Sequence, residues 1–265
     1  CTEFIVNALF EDTADDYLKL IGDWKDPWPE PVIQEHDGYL VVRDDLLNAG
    51  SKVRFLDYLI GSKPEINEWV FGSCPATGYA QISLPIACRR HSKKAVLFMA
   101  KRDMNNLHPY QQRGLEEGTI YHWIENGMLP VTQKRAKDYA AASSDRMVLP
   151  LGLEHPTVLA SIIKVAQNLS VTPKEVWTVG SSGTLNRGLQ LAWPDAKMNV
   201  VSVGHSMKPH EIGRATHYKS PYKFDKPIKE KEMPPYPSAP TYDAKVWPFV
   251  KEFASPGSLI WNVGS

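Results

Sequence analysis

Two short segments carry residue types and spacings that could do chemistry. The first is Gly180-Ser181-Ser182-Gly183-Thr184-Leu185-Asn186-Arg187-Gly188, which follows an apolar run and precedes a stretch with helical spacing. Glycines let a backbone turn tightly, and successive N–H groups at a helix start form a cradle for an anion. The hydroxyls of Ser181, Ser182 and Thr184 add donors. The pattern is neither the nucleotide-binding GxxxxGK[ST] nor a complete GxGxxG, and a tight structural turn between strand and helix accounts for it equally well. The second segment runs from Arg43-Asp44-Asp45 to Gly50-Ser51-Lys52-Val53-Arg54. A lysine at a helix start forgoes the dipole interaction that cations find at the other end. It is either a solvated surface lysine or an amine used to condense with a carbonyl carbon.

The remaining polar candidates are less marked. Tyr79 is a proton-transfer candidate or a packing aromatic. His108, His155, His205 and His210 are acid–base groups by type. Their spacing contains no HExxH and gives no metal signature. Cys1, Cys74 and Cys88 form no CxxC pair, and Cys88 reads as a small buried hydrophobe.

The elements that must position these residues alternate. Tyr39–Val42 reads as a strand, a helix starts near Ser51, and Glu68–Phe71 is a strand followed by the loop Gly72–Gly78. Tyr79–Arg90 has helical character and Val96–Met99 centres a strong strand, which together make a βαβ succession. Helices are expected over Leu107–Glu117, Lys134–Ser143 and Pro156–Asn168, and strands at Arg146–Leu149, Glu175–Val179 and Met198–Val203. Residues 204–245 are irregular and proline-rich, and read as a surface excursion or lid. Tyr242–Phe253 has helical spacing, and Ser258–Asn262 is strand-like. The alternation favours a mostly parallel sheet covered by helices.

Composition narrows the class. The chain has 265 residues, 43% of them hydrophobic, and 30 basic residues balance 30 acidic ones. That length suits one large domain or two lobes. Zero net charge gives no global steering toward nucleic acid. No apolar run is long enough to span a bilayer. The first residues turn acidic without the basic start of a signal peptide, which points to a cytoplasmic protein (the host cytoplasm if viral) with no membrane partner.

The lysine segment resembles that of the fold type II pyridoxal-phosphate enzymes, the tryptophan synthase β-like family. It is closest in style to the 1-aminocyclopropane-1-carboxylate deaminase and D-cysteine desulfhydrase branch, with its R-[ED]-D…G-[NG]-K-x-R-K-x-[EL]-[YF]-L type of pattern. Arg43-Asp44-Asp45, Gly50-Ser51-Lys52-Val53-Arg54 and Asp57-Tyr58-Leu59 match it. Gly180, Ser181, Ser182, Gly183 and Thr184 are similar to the family's G-[ST]-G-G-T phosphate loop, with Ser182 where glycine is usual. Leu149–Ser161 resembles the segment bordering the substrate, and Ser258–Ser265 the terminal strand.

The resemblance implies an α/β fold of parallel sheets covered by helices, in two closely associated lobes. The smaller lobe is expected over roughly 72–150, inserted in a larger one formed by 1–71 and 151–265. Pyridoxal 5′-phosphate is the implied cofactor, held as a Schiff base by Lys52 and through its phosphate by the Gly180–Thr184 loop. Two positions depart from the family. Residues 72–81 hold no asparagine to meet the ring hydroxyl, which leaves Thr77 or Tyr79 for that place. Val263 stands where a threonine would meet the ring nitrogen, which leaves Asn262 beside it. Lys52, Tyr79 and His155 are then the expected catalytic residues.

The implied activity is that of a lyase or deaminase-like enzyme on an amino acid or amino-acid-like amine, by elimination, deamination, replacement or decarboxylation. A homodimer is expected from the family. Two alternatives are a bacteriophage enzyme of thymine hypermodification, acting on an amino acid attached to a DNA base, and a non-catalytic pyridoxal-phosphate-binding relative. For the former, Arg89-Arg90, Lys93-Lys94 and Lys134-Arg135 would supply phosphate contacts. Ser182→Asp places a negative charge in the expected phosphate loop, so the cofactor retained after dialysis should fall by about tenfold or more. Equal retention in variant and parent would remove the phosphate from this loop.

Overall fold

The computed structural model describes residues 12–204 and 206–265. Chain contacts divide it into two compact units, one formed by His155–Ser265 with the chain up to Ser51, the other by Lys52–Glu154. In chain order the larger unit opens with α1 (Ala14–Leu18), β1 (Ile33–His36) and β2 (Tyr39–Arg43). The smaller unit contributes α2 (Lys52–Gly61), β3 (Glu68–Phe71), α3 (Ala80–Arg90), β4 (Lys94–Ala100), α4 (Pro109–Glu116), β5 (Ile120–Ile124), α5 (Leu129–Ala141) and β6 (Arg146–Val148). The larger unit then continues with α6 (Pro156–Gln167), β7 (Glu175–Gly180), α7 (Thr184–Ala192), β8 (Lys197–Ser202), α8 (Pro209–Ile212), β9 (Thr216–Lys219), α9 (Trp247–Phe253) and β10 (Leu259–Asn262).

The larger unit is built on a six-stranded sheet in the order β1-β2-β10-β7-β8-β9. β1 and β2 form an antiparallel hairpin whose two turn residues, Asp37 and Gly38, both have positive φ, as the right-handed twist of the strands demands. Every other pairing is parallel. β10 lies between β2 and β7, and all four of its residues are buried. One sheet face packs Val41, Trp177, Val179, Val201 and Ile260 against Trp247 and Val250 of α9. β7 is buried along its whole length, which is why EVWTVG lacks the alternation of a half-exposed strand.

The smaller unit holds a four-stranded parallel sheet in the order β5-β4-β3-β6. Val70, Val96 and Phe98 of its strands pack with Ala136 of α5. β3 is hydrogen-bonded on both sides within this sheet. It therefore belongs to the smaller unit together with α2, and the boundary falls at 52 and 154 instead of the expected 72 and 150.

Most expected elements lie within a residue or two of their places. The helix expected from Lys134 begins at Leu129, because Pro130 suits a first helical turn as well as it suits a loop. The strands β1, β5 and β9 were not foreseen. They are sheet edges with mixed exposure, and an edge strand shows no clean alternation.

α6 and α7 meet at Gly188, where an added Cβ would lie 2.5 Å from Ile162 Cγ2 and 2.8 Å from its Cβ. Gly188→Ala ordinarily favours a helix. Here the methyl would force apart the two helices behind the Gly180 loop. We expect a loss of about 2 kcal/mol in equilibrium urea unfolding, whereas a gain would show that the two helices can separate at no cost.

Candidate active site

The geometry of the Gly180–Thr184 loop follows directly from its sequence. β7 ends at Gly180 and α7 begins at Thr184, with Gly183 in the left-handed region at φ 76° as the N-cap. A side chain at Gly183 would be strained twice, by this backbone and by a Cβ only 2.5 Å from the Glu211 carbonyl oxygen. At Gly180 a Cβ would press on Val200 at 3.1 Å. The first turn of α7 contains no acidic residue, and the hydroxyls of Ser182 and Thr184 pair at 3.1 Å. The donor set is thus backbone N–H groups, two hydroxyls and a nine-residue helix N-terminus. That chemistry fits a phosphate dianion.

The lysine segment is tied down just before the lysine. Ser51 donates its hydroxyl hydrogen to Asp44 Oδ2 at 2.6 Å and accepts from Trp261 Nε1 at 2.9 Å. Its backbone N–H donates to the Val263 carbonyl at 3.0 Å. Lys52 is the next residue and the first of α2, half-buried. The loop after β2, the end of β10 and the loop after β7 therefore stand at the carboxyl ends of three adjacent parallel strands, the edge where open α/β sheets place their ligands.

In the smaller unit the loop after β3 closes on itself. Gly78 N–H bonds the Pro75 carbonyl at 2.9 Å, and Gln81 Nε2 donates to the carbonyls of Ala76 and Gly78, both at 2.8 Å. Thr77 is half-exposed on this turn, and among the described residues nothing holds its hydroxyl. Burial pushes the Cys74 thiol up to about 12, opposed by the N–H groups of Gln81 and Ala80 and by the charge of Lys52. Tyr79 accepts from Arg113 Nη2 at 3.4 Å and meets the Tyr110 ring edge-on at 5.3 Å.

Other expected site residues are otherwise engaged. His155 caps α6, its Nδ1 accepting from the Thr157 N–H at 3.2 Å. Asn262 is 1% exposed and gives its amide hydrogens to Asp45 Oδ1 at 2.8 Å and the Pro237 carbonyl at 2.9 Å. Its oxygen accepts from Ser238 at 2.7 Å. With both donors committed, Asn262 has none to offer a ring nitrogen. His205 lies outside the described residues. Of the basic residues expected to meet DNA, Arg89 is tied to Glu117 at 2.8 Å, Arg90 to Asp57 at 2.9 Å and Lys134 to Asp138 at 2.8 Å, while Lys93 Nζ donates to the Pro64 carbonyl at 2.7 Å.

No protein-family model and no curated protein matches the chain. Solved structures do. It is similar to an ACC deaminase homologue at a TM-score of 0.78 and 15% identity, over 96% of this chain and 95% of that one. It is also similar to the apo form of diaminopropionate ammonia lyase from Escherichia coli, at a TM-score of 0.65 and 12% identity over 97% and 88%. A pyridoxal 5′-phosphate-dependent aspartate racemase superposes at 0.58 with 15% identity, over 95% and 80%. The fold is that of the fold type II enzymes.

Within this fold type II frame, residues missed in the sequence stand out on the excursion before α9. Asp243 is buried, and its Oδ1 accepts from the Val263 N–H at 3.3 Å. Tyr242, its neighbour, packs against the core cluster that includes Trp177 and Val179 of β7, and burial pushes its pKa well up. A Tyr-Asp dipeptide just ahead of a helical stretch was the available signal, hidden inside a proline-rich run.

Lys245 anchors this pair. It is 1% exposed, and its Nζ donates to the carbonyls of Lys223 at 3.1 Å and Phe224 at 3.4 Å. Burial draws its pKa from the ordinary 10.5 down to about 8, with the Asp225 charge opposing. Between those values the unfolded chain still holds a proton that the folded chain has released. This group's contribution to stability is therefore full above about 10.5, and is lost as pH falls through about 8. Lys245→Met should flatten the rise of unfolding free energy with pH across that window, read from urea titrations at stepped pH. An unchanged slope would mean that Lys245 keeps its proton in the fold.

Proposed function

We propose that this chain is a pyridoxal-phosphate-dependent enzyme of lyase or deaminase type, acting on an amino acid or amino-acid-like amine. The observation that carries the proposal is the shared carboxyl edge in the larger unit. There the anion loop after β7 stands one strand away from β10, whose end holds Ser51, and Lys52 follows Ser51 directly. Similarity to solved lyase, deaminase and racemase structures supports it.

Each chain residue has a task in this proposal. The N–H groups and hydroxyls of Ser181 to Thr184 hold the cofactor phosphate. Bound pyridoxal phosphate supplies an aldehyde that takes up amines and a ring that withdraws electrons from the bond to be broken. Lys52 Nζ would hold the cofactor through its aldehyde carbon, and the same amine would move a proton to or from the substrate carbon. Thr77, with its uncommitted hydroxyl, takes the place of the missing asparagine, and Tyr79 remains the proton-transfer candidate of that loop. Asp243, against Val263, takes the ring-nitrogen role that Asn262 cannot fill. His155 acts as the helix cap that fixes the start of α6.

Borohydride reduction of the loaded protein followed by peptide mass analysis should place a cofactor mass on Lys52. Lys52→Ala should lose that mass and nearly all turnover, yet retain non-covalent cofactor through the phosphate loop. Reproducible modification of Lys63 or Lys245 instead would overturn the assignment.

A further inference from the structure

We propose that Asn186 is a positioning residue for the phosphate site: its amide takes up two backbone carbonyls that stand beside the Gly180–Thr184 loop, and so leaves the loop's N–H groups to the anion. This inference rests on the pyridoxal-phosphate reading and adds to it a residue that acts without touching the cofactor. The segment after β8 lies directly on the loop. A Cβ on Gly183 would be 2.5 Å from the Glu211 carbonyl oxygen and 3.0 Å from Met207 Cε, and one on Gly180 would be 3.4 Å from the same Met207 carbon. α8 ends at Ile212, so the carbonyls of Glu211 and Ile212 are the acceptor end of that short turn. An acceptor at this place competes with a phosphate for the N–H groups at the start of α7 unless it has donors of its own.

Asn186 supplies those donors. It lies fully buried in the first turn of α7, and its Nδ2 donates to the Glu211 oxygen at 3.0 Å and to the Ile212 oxygen at 3.1 Å. An amide NH2 carries two hydrogens on one nitrogen, which suits two successive carbonyls. Its Oδ1 accepts from Gln190 Nε2 at 3.1 Å, one turn further along α7, and this fixes which end of the amide faces α8. Gln190 Nε2 also donates to the Ile212 oxygen at 2.8 Å, and its Oε1 accepts from the Arg214 N–H at 3.1 Å. The two side chains tie the same elements together, but the bond to the carbonyl beside Gly183 is that of Asn186. The Glu211 carboxylate is turned back to the Lys208 N–H at 2.9 Å, at the other end of α8.

The test is equilibrium dialysis of parent, Asn186→Leu and Gln190→Met against pyridoxal phosphate, inorganic phosphate and pyridoxal. Leucine keeps the shape of the buried amide and loses both donors. Asn186→Leu should bind pyridoxal phosphate and inorganic phosphate about tenfold more weakly, as expected when a charged ligand loses one hydrogen bond to a competing acceptor. Pyridoxal, which lacks the phosphate, should bind parent and variant alike, and this shows that the variant is folded. Gln190→Met loosens α8 but leaves both Asn186 donors in place, and should keep the parent's affinity for all three probes. Equal loss of all three probes in Asn186→Leu would make the residue a structural tie and overturn the inference. Unchanged phosphate affinity in that variant, or a matching loss of phosphate in Gln190→Met, would overturn it too. A parent that takes up neither phosphate-bearing probe would instead overturn the phosphate-loop reading beneath it.

Discussion

Ser51 is the point on which the candidate site depends. One small side chain accepts from the Trp261 indole and donates to the buried Asp44, while its backbone N–H bonds the Val263 carbonyl. Two of these bonds join the loop after β2 to the end of β10, and the third, to Asp44, braces the loop itself. They also fix where α2 starts, and so where Lys52 leaves the larger unit. A serine does this because its hydroxyl can donate and accept at once within a volume that leaves room for the indole. Alanine would leave Asp44 and Trp261 each short of a partner in a dry environment, which costs more than the bonds themselves are worth.

Around that point the buried charges are provided for locally. Asp45 is gripped by Arg43 through two bonds of 2.8 Å and accepts from Asn262 as well. Asp243 is held at Val263. The acidic groups so placed set the polarity of the edge on which β10 ends, while the anion loop after β7 has no carboxylate in the first turn of its helix. Carboxylates thus gather where β10 ends, and none stands in the first helical turn after β7. This division of charge follows from hydrogen-bond satisfaction within the sheet, without any net charge on the chain.

How much of this was legible in the sequence depends on the element. β7, β8, α6 and α7 were legible because continuous apolar runs and helical spacing leave few other options. The turn between β7 and α7 was legible because glycine at 183 has a conformational reason to be there. The edge strands were not, since Tyr121, His122 and Trp123 are all half-exposed and follow no period. Asn262 shows a type that permits a ring contact, whereas its partners come from residues far away in sequence, Asp45, Pro237 and Ser238. Asp243 was missed for the same reason: its meaning lies in a bond to a residue 20 positions on. Residue type and spacing report what a group can do, and long-range packing decides what it is left free to do.

The place of β10 has a consequence for how the chain comes together during synthesis. Residues 259–262 fill the gap between strands made at 39–43 and 175–180. A ribosome finishes the whole smaller unit, Lys52–Glu154, long before it reaches the strand that closes the larger sheet. Until then β2 and β7 each present an unpaired edge, and the loop ahead of Lys52 lacks the partners that fix Ser51. The smaller unit can fold as it emerges, since its parallel strands follow one another within a short span. The larger sheet cannot close in that order, so a nascent chain stalled before residue 259 would hold a finished small unit beside exposed strand edges that invite chaperones or a second nascent chain.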